Sequence, residues 1–361
     1  MPDPLLAYIS QGQLHLQCDG GGEILESPFG LSLRDRAIQI QNRNAWKFRG
    51  QGGKCLTRAL HMAPEADLSA FRIAITSVTR GLRPGELLYT LETDEISGVF
   101  ARDGAGIEKR LFHTADFRAC QADAHPHGSE IALSVAHPAG IVNLAVLKTD
   151  GSDLTEVTDG ESVDQAPRWI PGPGRRLVFQ SAGMARDSKA RLAGQGPFAV
   201  HRLDLDSGEM SCLAQDSAFH YLGPRIAADG TLYYIRRPVQ EATPAVAPWA
   251  SLAGLALLPL GILWLTAMAA NLFTERRTGR PLFTVKHPAE KVLETPSFWL
   301  LMRQKPGRGV ETIADRVLSF DLAADGSVVY SNGVDVYRIA SDGGPAAKVM
   351  SGAGIDFIAV M

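Results

Sequence analysis

The stretch Ala166-Pro-Arg-Trp-Ile-Pro-Gly-Pro-Gly-Arg-Arg-Leu-Val-Phe-Gln-Ser181 decides the fold. It places two β-rich runs around a glycine-containing turn, which is the pattern of a β-hairpin. The same arrangement recurs in three other stretches, which are Phe117–Ser134, Gly223–Ile235 and Leu318–Ser331. A second hairpin follows in most units, with turns at Asp150-Gly151, Asp206-Ser-Gly208 and Asp342-Gly343. Four antiparallel strands per unit predict the blade of a β-propeller.

We count six such blades. Five of them are continuous and occupy residues 71–113, 117–158, 163–214, 219–315 and 317–350. The first blade is split, because the N-terminal runs between Leu5 and Leu25 supply only three strands, and the C-terminal run Ile355–Val360 supplies the missing inner one. Pairing the two chain ends in one sheet removes exposed edges. The predicted fold class is therefore all-β, with residues 1–361 forming a single six-bladed β-propeller closed by its N- and C-terminal strands.

The pattern of Pro167, Trp169, Pro171 and Gly174 before the strand Leu177–Ser181, together with the Asp-Gly turns, resembles the TolB-type propeller repeat. The resemblance covers most of the chain and implies a WD-like repeat fold of bacterial type that acts in protein–protein interaction. The chain departs from TolB in showing neither a signal peptide nor the TolB N-terminal domain. We therefore do not transfer the envelope partners of TolB to this chain.

Composition narrows the function classes. The chain is 45% hydrophobic and 21% charged, with a formal net charge of -3 and a pI of about 6.3. This charge does not support nucleic-acid binding, which normally needs a basic surface. Four widely spaced cysteines, Cys18, Cys55, Cys120 and Cys212, indicate reduced thiols rather than a disulfide or zinc framework. With no signal-peptide pattern at Met1–Tyr8, we expect a cytoplasmic protein.

Two insertions interrupt the repeat. Residues 28–70 lie between blades one and two and contain the polar run Ser32–Trp46, for which the sequence leaves open a short helix or an extra hairpin. Residues 239–296 lie within blade five and contain Ala242–Thr274, a run of 33 residues without a charged side chain. That run is long and apolar enough for a membrane-spanning helix.

Its position argues against a single crossing. The flanking strands Thr231–Arg236 and Ser297–Arg303 are predicted neighbours in one blade, so both must lie on the same side of a membrane. Pro259 divides the run into halves of about 10 and 14 residues, and neither half crosses a hydrocarbon core of about 30 Å as a helix. Basic residues at both ends place both ends in the cytoplasm. We expect an apolar helical excursion that leaves the propeller and returns.

The excursion is apolar on all sides, which indicates burial in a bilayer, against a partner protein or against the propeller itself. The residues predicted to dock there are Trp249, Leu252, Leu255, Leu258, Leu260, Trp264 and Phe273, with Arg276, Arg277 and Arg280 attracting anionic headgroups.

Patterns for catalysis are weak, and we predict no catalytic, cofactor-binding or metal-binding residue. The run Gly50–Cys55 partly matches a phosphate-binding loop. Phe48 stands where that loop needs its first glycine, and Cys55 stands where it needs serine or threonine. Asp123, His125 and His127 could offer metal ligands, but His125–Gly128 match the hairpin-turn position of the repeat, so we predict a turn there. Other aspartates precede glycine in turns. Calcium in the central channel is the one cofactor kept as an alternative. Arg168 and Arg225 follow proline at matching repeat positions; we interpret them as surface arginines, with an acidic peptide or anion as the alternative. Trp169 and Tyr234 are predicted core residues.

The predicted function is a non-catalytic protein-interaction scaffold, held at the cytoplasmic face of the inner membrane or onto a partner protein by the apolar excursion. Two alternatives stay open. One is a calcium-dependent, lactonase-like hydrolase, and the other is a soluble small-ligand binder in which the apolar segment acts as a lid. The sequence does not identify the partner, the pathway or the oligomeric state.

Overall fold

The computed structural model describes residues 6–18, 21–45, 72–186, 192–239 and 295–361. Nearly all regular structure in these ranges is antiparallel β-sheet. These residues, Val239 apart, belong to one unit, Met1–Pro238 with Glu294–Met361; Val239–Leu293 divides off as a second unit that otherwise lies outside the described ranges.

The first two sheets follow the predicted pattern. The strands of sheet 1 come from both ends of the chain and are β1 (Leu6–Ser10), β2 (Gln13–Cys18), β3 (Gly21–Leu25) and the last strand, β25 (Ile355–Val360), in the spatial order β25-β1-β2-β3. The strands of sheet 2 are β4 (Ile73–Arg80), β5 (Leu87–Thr93), β6 (Ser97–Arg102) and β7 (Glu108–Thr114).

Sheets 3 and 4 are the two halves of one nine-stranded sheet, joined by a single parallel bridge between Val142 and Val163. The strands of sheet 3 are β8 (Arg118–Ala124), β9 (Glu130–Ala136), β10 (Val142–Lys148) and β11 (Thr155–Glu156). The strands of sheet 4 are β12 (Ser162–Trp169), β13 (Arg176–Arg186), β14 (Leu192–Gln195), β15 (Ala199–Asp204) and β16 (Met210–Ala214).

Sheets 5 and 6 complete the series. The strands of sheet 5 are β17 (Phe219–Ile226), β18 (Leu232–Pro238), β19 (Leu300–Gln304) and β20 (Val310–Ala314). The strands of sheet 6 are β21 (Ser319–Leu322), β22 (Val328–Ser331), β23 (Asp335–Ile339) and β24 (Ala347–Ser351).

The described part of the first insertion resolves the choice between helix and hairpin. Residues Pro28–Ala45 form helix α1. The Ser27 hydroxyl accepts the Gly30 N–H at 3.1 Å, as a helix N-cap does, and the Glu108 carboxylate accepts the Phe29 N–H at 2.9 Å. A negative charge at this end of a helix is favourable. Phe29 packs on Phe100, with 5.1 Å between the ring centroids, and so holds the helix against sheet 2.

A hydrophobic cluster fills each junction between successive sheets. The clusters contain, for sheets 2 and 3, Val99 and Leu133; for sheets 5 and 6, Tyr233 and Phe320; and for sheets 6 and 1, Val336 and Ile358. The outer strands are more exposed: β7 carries Glu108, Lys109 and Arg110, which discourage edge-to-edge pairing. Trp169 and Tyr234 are both buried in such clusters, as the sequence predicts.

We call β25, β4, β8, β12, β17 and β21, one from each of sheets 1 to 6, the innermost strands. Backbone N–H groups in these strands, or just before β21 in the case of Val317, also bond to the preceding sheet. The bonds are Ile75 N–H to Gly12 O, Ala119 N–H to Ser97 Oγ, Trp169 N–H to Asp123 Oδ2, Tyr221 N–H to Phe198 O, Val317 N–H to Trp299 O, and Ile358 N–H to Ser319 Oγ, all at 2.7–3.2 Å. Each sheet is thereby tied to the next, and sheet 6 is tied to sheet 1.

We predict that Ile358→Ala lowers the free energy of unfolding by about 3 kcal/mol, because a fully buried isoleucine is replaced by a cavity in the strand contributed by the chain's end. Urea denaturation measures this. Val349→Ala, at an exposed position of β24, is the matched control and should change stability by less than about 0.5 kcal/mol. Equal effects of the two substitutions would show that β25 is not part of the core.

Candidate functional site

The penultimate residues of the six innermost strands lie at one common end of the sheets. They are Ala359, Thr79, Asp123, Arg168, Arg225 and Asp321, in sheets 1 to 6 respectively. Four of the six are charged, and the charges occur as two ion pairs between adjacent sheets. We call these six residues the inner ring.

The first ion pair joins sheets 3 and 4. Arg168 Nη1 donates to Asp123 Oδ1 at 2.8 Å, and the side chains are 10% and 15% exposed. Arg168 also donates to the Thr79 hydroxyl at 3.2 Å, so that one guanidinium spans three sheets. The second oxygen of Asp123 accepts the Trp169 N–H at 2.9 Å. The carboxylate is therefore held by both side-chain and backbone donors.

The second ion pair joins sheets 5 and 6. Arg225 Nε lies 3.1 Å from Asp321 Oδ1, and both side chains are 12% exposed. The other Asp321 oxygen accepts the Val360 N–H at 2.9 Å, which extends the contact to sheet 1. Burial, followed by the positive charge of Arg168, lowers the pKa of Arg225 to about 10, while Asp321 and Asp123 act in the opposite sense. The arginine stays protonated at neutral pH.

This geometry corrects one prediction. Arg168 and Arg225 are not surface arginines, because both are buried in ion pairs. The alternative interpretation as anion-binding residues would require the bound anion to compete with Asp123 and Asp321. Removing one partner from a buried ion pair costs several kcal/mol of stability. We therefore interpret the main role of the four charges as fixing the relative position of neighbouring sheets.

A β-bulge precedes the inner ring in three strands. The bulges contain Gln121, Ala166 and Gly223, with φ of 54°, 53° and 58°, each two residues before the charged residue. A bulge turns the following side chain to a new direction. The proline that follows in β12 and β17 suits such a site because it has no N–H to lose.

Sequence reasoning missed the inner ring, although a signal exists. Aligning the repeats places Asp123, Arg168, Arg225 and Asp321 in one column, where the two arginines are flanked by the two aspartates. Only Arg168 and Arg225 stand out from the sequence, through the preceding proline. Asp123 draws attention for a different reason, its spacing from His125 and His127.

His125 to Gly128 form a turn, as predicted, whereas Asp123 lies in β8. The His127 N–H donates to His125 Nδ1 at 3.1 Å, and His125 packs edge-on against Trp169 with 4.6 Å between ring centroids. Within the described ranges, no group of three His, Cys, Asp or Glu side chains is arranged to hold a metal ion.

The predicted docking residues Trp249, Leu252, Leu255, Leu258, Leu260, Trp264, Phe273, Arg276, Arg277 and Arg280 lie outside the described residues, as do Gly50–Cys55. Across the ranges that are described, no helix is both long enough and apolar enough for a transmembrane span.

The strands on either side of the second insertion are described. β18 and β19 pair antiparallel, with Ile235 opposite Leu301 and Arg236 opposite Leu300. The chain therefore leaves sheet 5 after β18 and rejoins it in the adjacent strand. Pro238 lies opposite Phe219, at the start of β17, whereas the inner-ring residue Arg225 lies near the end of that strand. The strand ends at which the chain leaves and rejoins sheet 5 thus lie at the opposite end of that sheet from Arg225.

Aromatic rings hold the basic residues before the insertion. The Arg236 guanidinium lies 4.8 Å from the centroid of Phe219, and that of Arg237 lies 4.8 Å from the centroid of Trp299. Burial lowers the pKa of Arg237 from its ordinary value. Phe298, beside Trp299, is 47% exposed. The strand ends from which the insertion departs therefore carry positive charge and exposed aromatic surface.

Comparison with solved structures identifies the architecture. TolB from Acinetobacter baumannii superposes with a TM-score of 0.55 at 11% identity, covering 99% of this chain and 66% of TolB. A chain of the nidogen/laminin complex superposes with a TM-score of 0.56 at 9% identity, covering 99% of this chain and 97% of that one. This chain has a β-propeller fold. At these identities the likeness extends to the fold alone, and the chain spans just under two thirds of the length of TolB.

Sequence comparisons add no family. No protein-family model matches the chain. No curated protein matches it either.

The inner ring yields a first prediction. We expect Asp123→Ala to lower the free energy of unfolding by about 3 kcal/mol, because it leaves the buried Arg168 charge and the Trp169 N–H without their acceptor. The double variant Asp123→Ala with Arg168→Met should lose less than Asp123→Ala alone. Lys148→Ala, which breaks an exposed ion pair, is the control and should leave the denaturation midpoint unchanged. If both single variants behave alike, the inner ring does not stabilise the fold.

The bulges yield a second prediction. Ala166→Gly should stabilise the protein by about 1 kcal/mol, because alanine is strained at a positive φ and glycine is not. Gly223→Ala should destabilise it by about the same amount; nothing lies closer than 4.0 Å to an added Cβ there, so the effect is one of backbone conformation. Thermal and urea unfolding measure both. Shifts of the same sign would contradict the assignment of equivalent bulges.

Proposed function

We propose that the chain is a six-bladed β-propeller, closed by its two ends, that serves as a non-catalytic scaffold. In the ring that we infer, each of the six sheets is one blade. The antiparallel pairing of β1 with β25 supports closure, because Leu6 to Ser10 lie opposite Val360 to Ile355 in one sheet. The bonds from each innermost strand to the preceding sheet, including Ile358 N–H to Ser319 Oγ, support the cyclic order.

We infer further that the apolar insertion attaches this propeller to the cytoplasmic face of the inner membrane or to an apolar partner. The observation that carries the proposal is the pairing of β18 with β19. Two adjacent strands of one blade cannot lie on opposite sides of a bilayer. A segment of 33 uncharged residues between them must therefore leave and return on the same side.

Charge and composition at the two ends of the segment support a membrane surface. Arg236 and Arg237 precede it, and Arg276, Arg277 and Arg280 follow it. Each basic residue near an anionic bilayer contributes about 1 kcal/mol of binding free energy. Exposed aromatic side chains such as Phe298 suit the interface between lipid and water. The cytoplasmic location of the protein and its binding to a partner protein are parts of the same proposal.

We predict that deletion of 242–274 moves the protein from the membrane fraction to the soluble fraction of a cell lysate. The deletion joins two adjacent strands by a shorter loop and should leave the melting temperature of the propeller nearly unchanged. A matched variant with Leu252, Leu255 and Leu258 replaced by Asn keeps the length and removes apolar surface; it should also become soluble. Retention of both variants in the membrane fraction would contradict the proposal.

Two further measurements separate lipid from protein as the attachment site. Purified full-length protein should bind vesicles containing anionic lipid, and replacing Arg276, Arg277 and Arg280 by Glu should weaken that binding at least tenfold. Attachment through a partner protein alone predicts no vesicle binding. Single cysteines introduced next to Arg236 and Arg277 in a cysteine-free background should both be labelled from the cytoplasmic face, and labelling from opposite faces would overturn the re-entrant path.

A further inference from the structure

A cavity of about 860 Å³ opens between sheets 1 and 2. Its size falls within the range of small-molecule sites, which is about 300–1,000 Å³. Sheet 1 contributes Leu16 and Leu25 to the lining, and Met361 follows β25. Sheet 2 contributes Leu87 and the turns after β4 and β6. The cavity therefore has an apolar wall on the side of sheet 1 and a wall of turns on the side of sheet 2.

Three arginines line the wall formed by sheet 2, and they are Arg80, Arg83 and Arg102. Arg80 spends one Nη donor on Leu322 O at 3.0 Å, and Arg102 spends one on Glu26 O at 3.3 Å. Arg83 is exposed at its turn and forms no ion pair within the described part of the chain. Each guanidinium has five N–H groups, and within the described part of the chain these two bonds use one N–H group of Arg80 and one of Arg102.

Three carboxylates also line the cavity, but two of them are bound within their own turns. Glu86 Oε2 accepts the Leu82 and Arg83 N–H groups, both at 3.0 Å. Asp103 Oδ1 accepts the Ala105 and Ile107 N–H groups at 3.0 and 2.8 Å. Glu23, on β3, is the third carboxylate and lies on the opposite wall from the arginines. On the wall of sheet 2, three arginines therefore stand beside two carboxylates, and both of these carboxylates already accept backbone N–H groups.

The turn after β4 is built to present Arg83 in this way. A Cβ on Gly81 would lie 2.5 Å from Glu86 Cγ, so only glycine allows the glutamate to fold back onto the turn. With Glu86 bound to the backbone, its carboxylate is directed at the Leu82 and Arg83 N–H groups rather than at the Arg83 guanidinium.

We propose that this cavity binds a small organic anion with an apolar tail, its carboxylate held by Arg83 with Arg80 and Arg102, and its tail against Leu16, Leu25 and Met361. A guanidinium holds a carboxylate through two parallel hydrogen bonds, which gives the site its preference for this group. The proposed site uses no residue of the apolar insertion and does not depend on the scaffold function proposed above.

Isothermal titration of the full-length protein with decanoate, below its micelle-forming concentration, tests the proposal. Decanol and decyltrimethylammonium carry the same tail with a neutral and a positive head. Decanoate should bind at least tenfold more tightly than either. Equal binding of the three ligands would show that only the tail is recognised and would overturn the proposal.

Two variants locate the site. Arg83→Gln should weaken decanoate binding at least fivefold, and Ala105→Trp should abolish it by filling the opening from an exposed turn without touching the core. Arg308→Gln, at an exposed turn of sheet 5, is the matched control and should bind as the natural chain does. Decanoate binding that survives Ala105→Trp lies elsewhere, for example on the apolar insertion, and would also overturn the proposal.

Discussion

The innermost strand of each sheet is an edge strand, apart from the single parallel bridge between β12 and β10, and this constraint organises the rest of the molecule. Its backbone N–H groups on the free side have no ladder partner, and buried N–H groups need acceptors. Neighbouring sheets supply them, through main-chain oxygens at Gly12, Phe198 and Trp299 and through the side chains of Ser97, Asp123 and Ser319. The unpaired N–H groups that would destabilise an isolated sheet thus form the hydrogen bonds that join neighbouring sheets.

The inner ring applies the same logic to charge. Asp123 and Asp321 each accept a backbone N–H of another sheet with one oxygen, and the other oxygen forms an ion pair with an arginine. Each aspartate therefore ties a strand and a side chain from other sheets to its own. The positive-φ bulges at Ala166 and Gly223 place the arginines two residues later, where they meet these carboxylates. A buried ion pair is weak support for stability in itself, but removing one partner is costly, so the pairs favour one arrangement of sheets over others.

How much of this was predictable depends on the range of the interaction. Hairpins are local, so the turns at Asp150-Gly151 and Asp342-Gly343 predict strands that the structure contains. The pairing of β1 with β25 was predictable only from the count of strands, since no local sequence pattern near Leu6 indicates Val360 as its partner. The sequence does not decide between a helix and a hairpin at α1, because the apolar pattern there is weak. The start of the helix depends on Glu108, which lies in sheet 2. The inner ring was missed because burial of Arg168 and Arg225 depends on bulges that no local pattern specifies.

The difference between local and long-range interactions also explains how a long insertion fits within a sheet. Closing a loop costs free energy that grows only with the logarithm of its length, so doubling the loop adds only about 0.6 kcal/mol. The strands that it joins, β18 and β19, are held by partners outside the loop: Tyr233 and Ile235 pack with Phe320 of sheet 6, and Tyr234 packs with Tyr221 of β17. Sheet 5 therefore does not need the insertion in order to form. The sequence between these two strands can therefore take a composition suited to another environment, and an apolar run of this length is unusual on a surface that faces water.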